Sequence, residues 1–165
     1  MGVTASRRLQ IAVIGAGRAT AAECAAAEQV GRRIAEAGAV VVCGGLGGVM
    51  EAACRGARAA GGTTVGILPG TDRSEANDFV DVAIPTGIGE ARNAVVVATA
   101  DAVVAVGGEF GTLSEIALAL KAGRPVIGLD SWELARRGTA VAGVQPAGGP
   151  DEAAALALGQ ARRPS

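Results

Sequence analysis

The 165-residue sequence contains no histidine and no tyrosine, and only one tryptophan and two phenylalanines. Without histidine, neither Ser-His nor Cys-His catalysis is available, and most zinc sites lose a usual ligand. Lysine is nearly absent too. Lys121 stands alone near the end of an apolar stretch, just before Gly123. A helix C-terminus favours a cation there, which is a plainer role than a Schiff base. No G-x-x-x-x-G-K-[ST] stretch occurs, so this is not a P-loop protein. The near absence of aromatics argues against a stacking platform for single strands. A net charge of −1 leaves no basic field to draw nucleic acid or an anionic membrane. Cys24, Cys43 and Cys54 are odd in number and lack paired metal spacing. They read as small buried residues in a reducing compartment, and no metal site is expected.

The N-terminus carries two weak signals. Met1-Gly-Val-Thr-Ala-Ser6 fits a myristoylation pattern, and Arg7-Arg8 has a twin-arginine look. The apolar stretch that follows ends at Ala16, and Arg18 interrupts it; no later run suits a membrane span. Residues 1–8 are expected to be a loose leader, residues 162–165 a frayed tail, and the location cytoplasmic.

What the chain has in abundance is glycine and small aliphatic residues, and their order is regular. Leu9–Ile14, Val40–Cys43, Thr63–Leu68, Val80–Ile84, Ala102–Val106 and Pro125–Leu129 are short apolar runs that read as strands, with Val141–Val144 a candidate seventh. Between them lie helical stretches at about 20–37, 49–60, 91–99 and 113–122, and Asp151–Gln160 closes the series. Continuous apolar strands alternating with helices predict a parallel sheet covered on both faces. The expected fold is a single Rossmann-like α/β domain over residues 9–161, with a sheet of about six or seven strands.

Three strands run into glycine clusters: Gly15-Ala-Gly17, Gly44-Gly-Leu-Gly-Gly48 and Gly107-Gly-Glu-Phe-Gly111. Right-handed crossovers place the carboxyl end of every parallel strand on one rim, where open α/β sheets bind ligands. Glycine lets backbone N–H groups approach an anion, and a helix N-terminus supplies unpaired N–H groups and a favourable dipole. Each cluster alone also fits a plain strand-to-helix connection; their convergence points to a phosphate-bearing ligand. Thr112-Leu-Ser-Glu115 has capping-box spacing, so Glu115 serves the helix start, a ligand, or both. Arg92, in a helix's first turn, is either an exposed arginine or the partner of an anion. Asp101, at a strand entry, reads as a turn residue. Glu109 puts a carboxylate on the phosphate turn itself.

Four motifs together, Gly44-Gly-Leu-Gly-Gly-Val-Met-Glu51, Gly66-Ile-Leu-Pro-Gly70, Glu90-Ala-Arg-Asn93 and Gly107-Gly-Glu-Phe-Gly-Thr-Leu-Ser-Glu115, resemble the LOG superfamily over about residues 9–130. That superfamily was often labelled lysine decarboxylase, a label at odds with the place of Lys121. It includes cytokinin-activating phosphoribohydrolases, and the short bacterial branch similar to the molybdenum cofactor carrier protein looks nearest. The converging glycine clusters give an expected ligand-binding rim of Gly15, Gly17, Gly44, Gly45, Gly47, Gly48, Gly107, Gly108 and Gly111, with Glu51 and Thr112 beside them; the resemblance implies that Gly108, Gly111 and Thr112 hold the phosphate, with Arg92 and Glu115 in the catalytic positions. It implies bound molybdopterin or a nucleoside monophosphate, no required cofactor, and a homodimer or larger homo-oligomer. Val106 stands where the phosphoribohydrolase pattern has proline, and Asn93 where it usually has lysine.

Overall fold

The structure, a computed structural model, describes residues 7–161. Seven strands form one parallel sheet: β1 (Gln10–Gly15), β2 (Val40–Cys43), β3 (Thr63–Leu68), β4 (Val82–Pro85), β5 (Ala102–Val106), β6 (Val126–Leu129) and β9 (Val144–Pro146), in the order β4-β3-β2-β1-β5-β6-β9. Between β6 and β9, β7 (Ala135–Arg136) and β8 (Thr139–Ala140) pair as a small antiparallel hairpin. The helices are α1 (Ala21–Glu36), α2 (Val49–Ala59), α3 (Arg92–Thr99), α4 (Phe110–Lys121) and α5 (Pro150–Ala161). This is a single Rossmann-like α/β domain.

The strands look uniformly apolar because both sheet faces are buried, and successive side chains serve opposite faces. Ile11, Val13, Val41 and Val104 pack under α1, α2 and α5 with Val30, Ile34, Ala53 and Ala154. Ala12, Ile14, Val42 and Val103 face α3 and α4, against Val96, Val97 and Ile116. Small side chains let the first layer pack closely. A Cβ added to Gly56 would overlap the backbone carbonyl of Glu28, and one on Gly31 that of Ala53. The α1–α2 contact is thus backbone against backbone. Alanine is intrinsically better than glycine in a helix by about 1 kcal/mol, but overpacking typically costs about 1–3 kcal/mol, and no rotamer change relieves a clash with a carbonyl. We expect Gly56→Ala to lower stability by about 1–3 kcal/mol in urea unfolding; an unchanged or higher midpoint would show that the helices part freely.

Several elements differ from the sequence expectation. α1 opens with a capping box: the Glu23 N–H donates to Thr20 Oγ1 at 3.2 Å, and the Thr20 N–H donates to Glu23 Oε2 at 2.8 Å. The capping box expected at Thr112–Glu115 does not form. α4 begins at Phe110, and the Leu113 N–H already donates to the Glu109 carbonyl at 3.0 Å, so Thr112 lies inside the first turn. β4 starts at Val82 rather than Val80, because the Val80 N–H closes a turn on the Asn77 carbonyl. The last sheet strand begins at Val144, not Val141.

The expected leader and tail lie mostly outside the described residues, but Arg7 and Arg8 do not. Arg7 pairs with Asp101 at 3.1 Å, and Arg8 donates to the Gly38 carbonyl and Thr63 Oγ1. Asp101 also accepts from the Gln10 N–H at 2.9 Å, which fixes the amino ends of β1 and β5 away from the glycine rim. Among the described residues, no helix is long and apolar enough to cross a membrane.

Candidate functional site

The order of the strands reverses at β1, whose two neighbours are β2 and β5. The loops leaving the carboxyl ends of β1, β2 and β5 meet above that point. Between them lies a cleft of about 310 Å³, lined by Ile14 to Gly17, Gly44, Leu46, Met50, Glu90, Arg92, Asn93, Glu109, Gly111, Thr112 and Glu115.

Helices α1, α2 and α4 follow the β1, β2 and β5 loops, and their first turns differ. The α1 start is satisfied by its own capping box. At α2 the cap is Gly48, whose side offers no hydrogen bond, and the Val49 N–H donates to the Ala16 carbonyl at 3.1 Å. At α4 the cap is Glu109, again without a side-chain bond, and the first helical bond belongs to Leu113. The N–H groups of Phe110, Gly111 and Thr112 therefore lack intrahelical partners, and Gly111 and Thr112 lie on the cleft lining. Thr112 is buried, and its side chain lies against Gly108.

Arg92 is the sole cation on the lining among the described residues and is only 9% exposed. It reaches inward because the turn at Gly89–Ala91 delivers α3 with its first side chain under the β2 loop. Its Nη1 donates to the Ile67 carbonyl at 3.1 Å, while its Nε is buried without a partner among the described residues. A Cβ at Gly44 would overlap the guanidinium, so glycine is required there for Arg92 to occupy this position. Glu115, 7% exposed, comes from the second turn of α4. Burial pushes its carboxyl up to about 7, and the Arg92 guanidinium opposes part of that rise. No salt bridge within 4.0 Å joins either residue to a described partner. The site thus holds a buried cation with an unpartnered Nε among the described residues and a carboxyl that is only about half ionised near neutral pH. Glu90 and Glu109 also line the cleft but are exposed, where solvent screens them.

The other expected rim residues lie elsewhere. Gly45 (φ 76°) stands against Gly66 and Leu68, and Gly48 (φ 64°) against the carbonyls of Ala16 and Gly17; both allow close backbone approach beside the cleft. Gly47 and the half-buried Glu51 neighbour each other off the lining. Gly107 and Gly108 face a separate hollow on the other side of the turn. Leu46, Met50 and Glu90 were not singled out from sequence, although each belongs to a motif that was.

Beneath the Gly44 loop, Cys43 and Cys54 are buried free thiols with sulfurs 3.5 Å apart, packed with Met50. Among the described residues, no group of three or more His, Cys, Asp and Glu side chains is arranged to hold a metal ion.

Comparison with known proteins bears on this arrangement. The model of the SLOG cluster4 family matches residues 8–153. A protein of Archaeoglobus fulgidus described as uncharacterized is 50% identical over 121 residues, 73% of this chain and 80% of that protein. The structure of the molybdenum cofactor binding protein from the phototrophic bacterium Rippkaea orientalis is similar with a TM-score of 0.85 and 38% identity, over 93% of this chain and 98% of that one. The molybdenum cofactor carrier protein of Chlamydomonas reinhardtii is similar with a TM-score of 0.82 and 33% identity, over 95% of this chain and 100% of that one.

Proposed function

The chain belongs to the SLOG cluster4 family, and from that premise we propose that its cleft holds a phosphorylated pterin-like or nucleotide-like molecule, foremost the molybdenum cofactor, as a carrier. The observation that carries this reading is Arg92: a buried guanidinium with an unpartnered Nε, beside the uncapped start of α4. A buried donor without an acceptor costs about 1–3 kcal/mol, more for a charged group. A phosphate at the Phe110–Thr112 N–H groups removes that cost and meets the helix dipole. Glu115, with its carboxyl pushed up to about 7, repels it less than an ordinary carboxylate does. The similar Rippkaea protein binds the molybdenum cofactor and the similar Chlamydomonas protein carries it, which supports the same cargo here. The chain's own residues bind and enclose; no bond need be made or broken.

The test is anaerobic incubation with molybdenum cofactor released from a molybdoenzyme, repurification, and conversion of the retained pterin to its fluorescent oxidised form. Near-stoichiometric pterin on the wild type and little on Arg92→Ala is the expected result. Equal retention by both would remove Arg92 from the reading.

One observation favours a second reading. A buried carboxyl titrating near 7 beside a cation is also suited to acid–base work. In a phosphoribohydrolase, Glu115 would stabilise the oxocarbenium-like ribose as the N-glycosidic bond breaks and would activate water, with Arg92 on the phosphate. Release of free base from nucleoside 5′-monophosphates, lost in Arg92→Ala, would establish it. A homodimer or larger assembly, located in the cytoplasm, completes the proposal; sedimentation of the purified chain tests the assembly.

A further inference from the structure

The chain spends its few aromatic residues unevenly. Of two phenylalanines and one tryptophan, Phe110 and Trp132 meet, with ring centroids 5.9 Å apart and planes tilted by 34°. They arrive from different elements. Phe110 is the first residue of α4, between Glu109 and Gly111 of the cleft lining. Trp132 lies in the loop after β6 and lines a hollow of about 350 Å³ with Gly107, Gly108, Asp130 and Ser131. The glycine turn therefore has the cleft on one side and the Trp132 hollow on the other, and Phe110 stands on the ridge between.

Two features of this pair are costly for the free protein. Phe110 is 80% exposed, the most exposed of the large apolar side chains among the described residues, although a phenylalanine gains by burial. The Trp132 indole Nε1–H is shielded from solvent with no acceptor among the described residues, which costs a lost hydrogen bond. The Trp132 loop is also held in place: Ser131 Oγ donates to the Gly107 carbonyl at 2.6 Å, and Asp130 adopts φ 48°, in the left-handed region. This loop is pinned directly to the proposed phosphate turn. An exposed aromatic side chain, backed by a second ring and standing next to the proposed phosphate turn, suits a flat heterocycle.

We propose that Phe110 and Trp132 form the stacking wall for the planar heterocyclic ring of the ligand whose phosphate sits at the α4 start. This rests on the phosphate reading of the cleft and adds the part that selects the ring. The phosphate contacts are indifferent to what the ribose or side chain bears; the aromatic pair is not. Stacking of one base on an aromatic side chain changes affinity by about 5- to 100-fold, and Trp132 reports it directly, being the sole tryptophan.

The probes are guanosine 5′-monophosphate, which shares the amino-oxo-pyrimidine edge of a pterin, and ribose 5-phosphate, which keeps the phosphate and lacks the ring. Both are titrated by calorimetry, and Trp132 fluorescence is followed. The wild type should bind the nucleotide about 5- to 100-fold more tightly than the sugar phosphate, with a change in Trp132 emission for the nucleotide only. Phe110→Ala should abolish the preference for the nucleotide over the sugar phosphate, while Phe110→Tyr keeps it. A preference that survives Phe110→Ala overturns the stacking wall, as does equal binding of the two probes by the wild type. In either case, Arg92-dependent binding of ribose 5-phosphate leaves the phosphate site standing. If neither probe binds, the phosphate reading fails and the stacking wall falls with it.

Discussion

Arg92→Ala should weaken ligand binding by about 30-fold to a thousandfold or more, while leaving the ligand-free protein at least as stable as the wild type. The range follows from the loss of a buried, charge-assisted contact, worth about 2–5 kcal/mol. The combination of effects follows from the site. A guanidinium that is 9% exposed, with one bond to the Ile67 carbonyl and a partnerless Nε, is incompletely satisfied in the free protein. Removing it gives up one hydrogen bond and relieves a buried charge. An ordinary structural arginine would behave in the opposite way, with stability falling and binding following. Arg92→Lys should rescue little, because an ammonium cannot hold the Ile67 carbonyl and a phosphate oxygen in one planar fork. Thermal unfolding and calorimetry on the same three proteins decide it. Binding by Arg92→Ala within twofold of the wild type, or a clear drop in its melting temperature, would refute this account of the residue.

The sheet was legible because burial on both faces leaves continuous apolar runs. β2, β3 and β5 were bounded from sequence at the residues the structure shows. The misplaced boundaries have local causes. Val80 is apolar but belongs to a turn closed on Asn77, so hydrophobicity alone started β4 too early. Thr112-x-x-Glu115 has the spacing of a capping box, but the chain enters α4 at Phe110 and carries both residues into the helix. The true box, Thr20-x-x-Glu23, has the same spacing and follows a strand and loop of the same kind. Spacing cannot tell the two apart; the entry angle of the chain does. The hairpin at 135–140 has exposed strands and carried no hydrophobic signal.

The site was harder to read, for a physical reason. The glycine clusters share a rim, but glycine serves two purposes there. Gly15, Gly17, Gly44 and Gly111 line the cleft, whereas Gly45 and Gly48 let one loop lie on another. The same residue type in the same loop cannot declare which purpose it serves, because that depends on what the fold brings opposite. The burial of Arg92 was equally hidden. Arginine in a first helical turn ordinarily points to water, and only the missing side chain at Gly44 gives this one room to turn inward.

Glu115→Gln should stabilise the protein at pH 8 by about 1–3 kcal/mol and leave it nearly unchanged near pH 4.5. The sign follows from where the proton sits. The carboxyl titrates at about 7 in the fold against 4.5 for the free group, chiefly because burial disfavours its charge, with Arg92 opposing. Between those values the native state holds a proton that the unfolded chain has lost. Stability contributed by this residue is therefore complete below about 4.5, falls as pH rises, and is gone once pH has passed through 7. Glutamine keeps the shape and cannot ionise, so the pH slope over that window should flatten in the variant. Urea unfolding of both proteins from pH 4.5 to 8 measures this; parallel curves would mean that Glu115 is not held near 7. The same variant separates the two readings of the cleft. A carrier needs Glu115 only not to repel the phosphate, so glutamine should retain the ligand and hold it better above pH 7. A phosphoribohydrolase needs the carboxylate itself, and base release should fall by about 10²- to 10⁴-fold. A gain in stability at pH 8 with cofactor retention intact would therefore mark the buried carboxyl as part of a binding wall. The same gain with lost turnover would mark it as a group kept near 7, at a cost in stability, for chemistry.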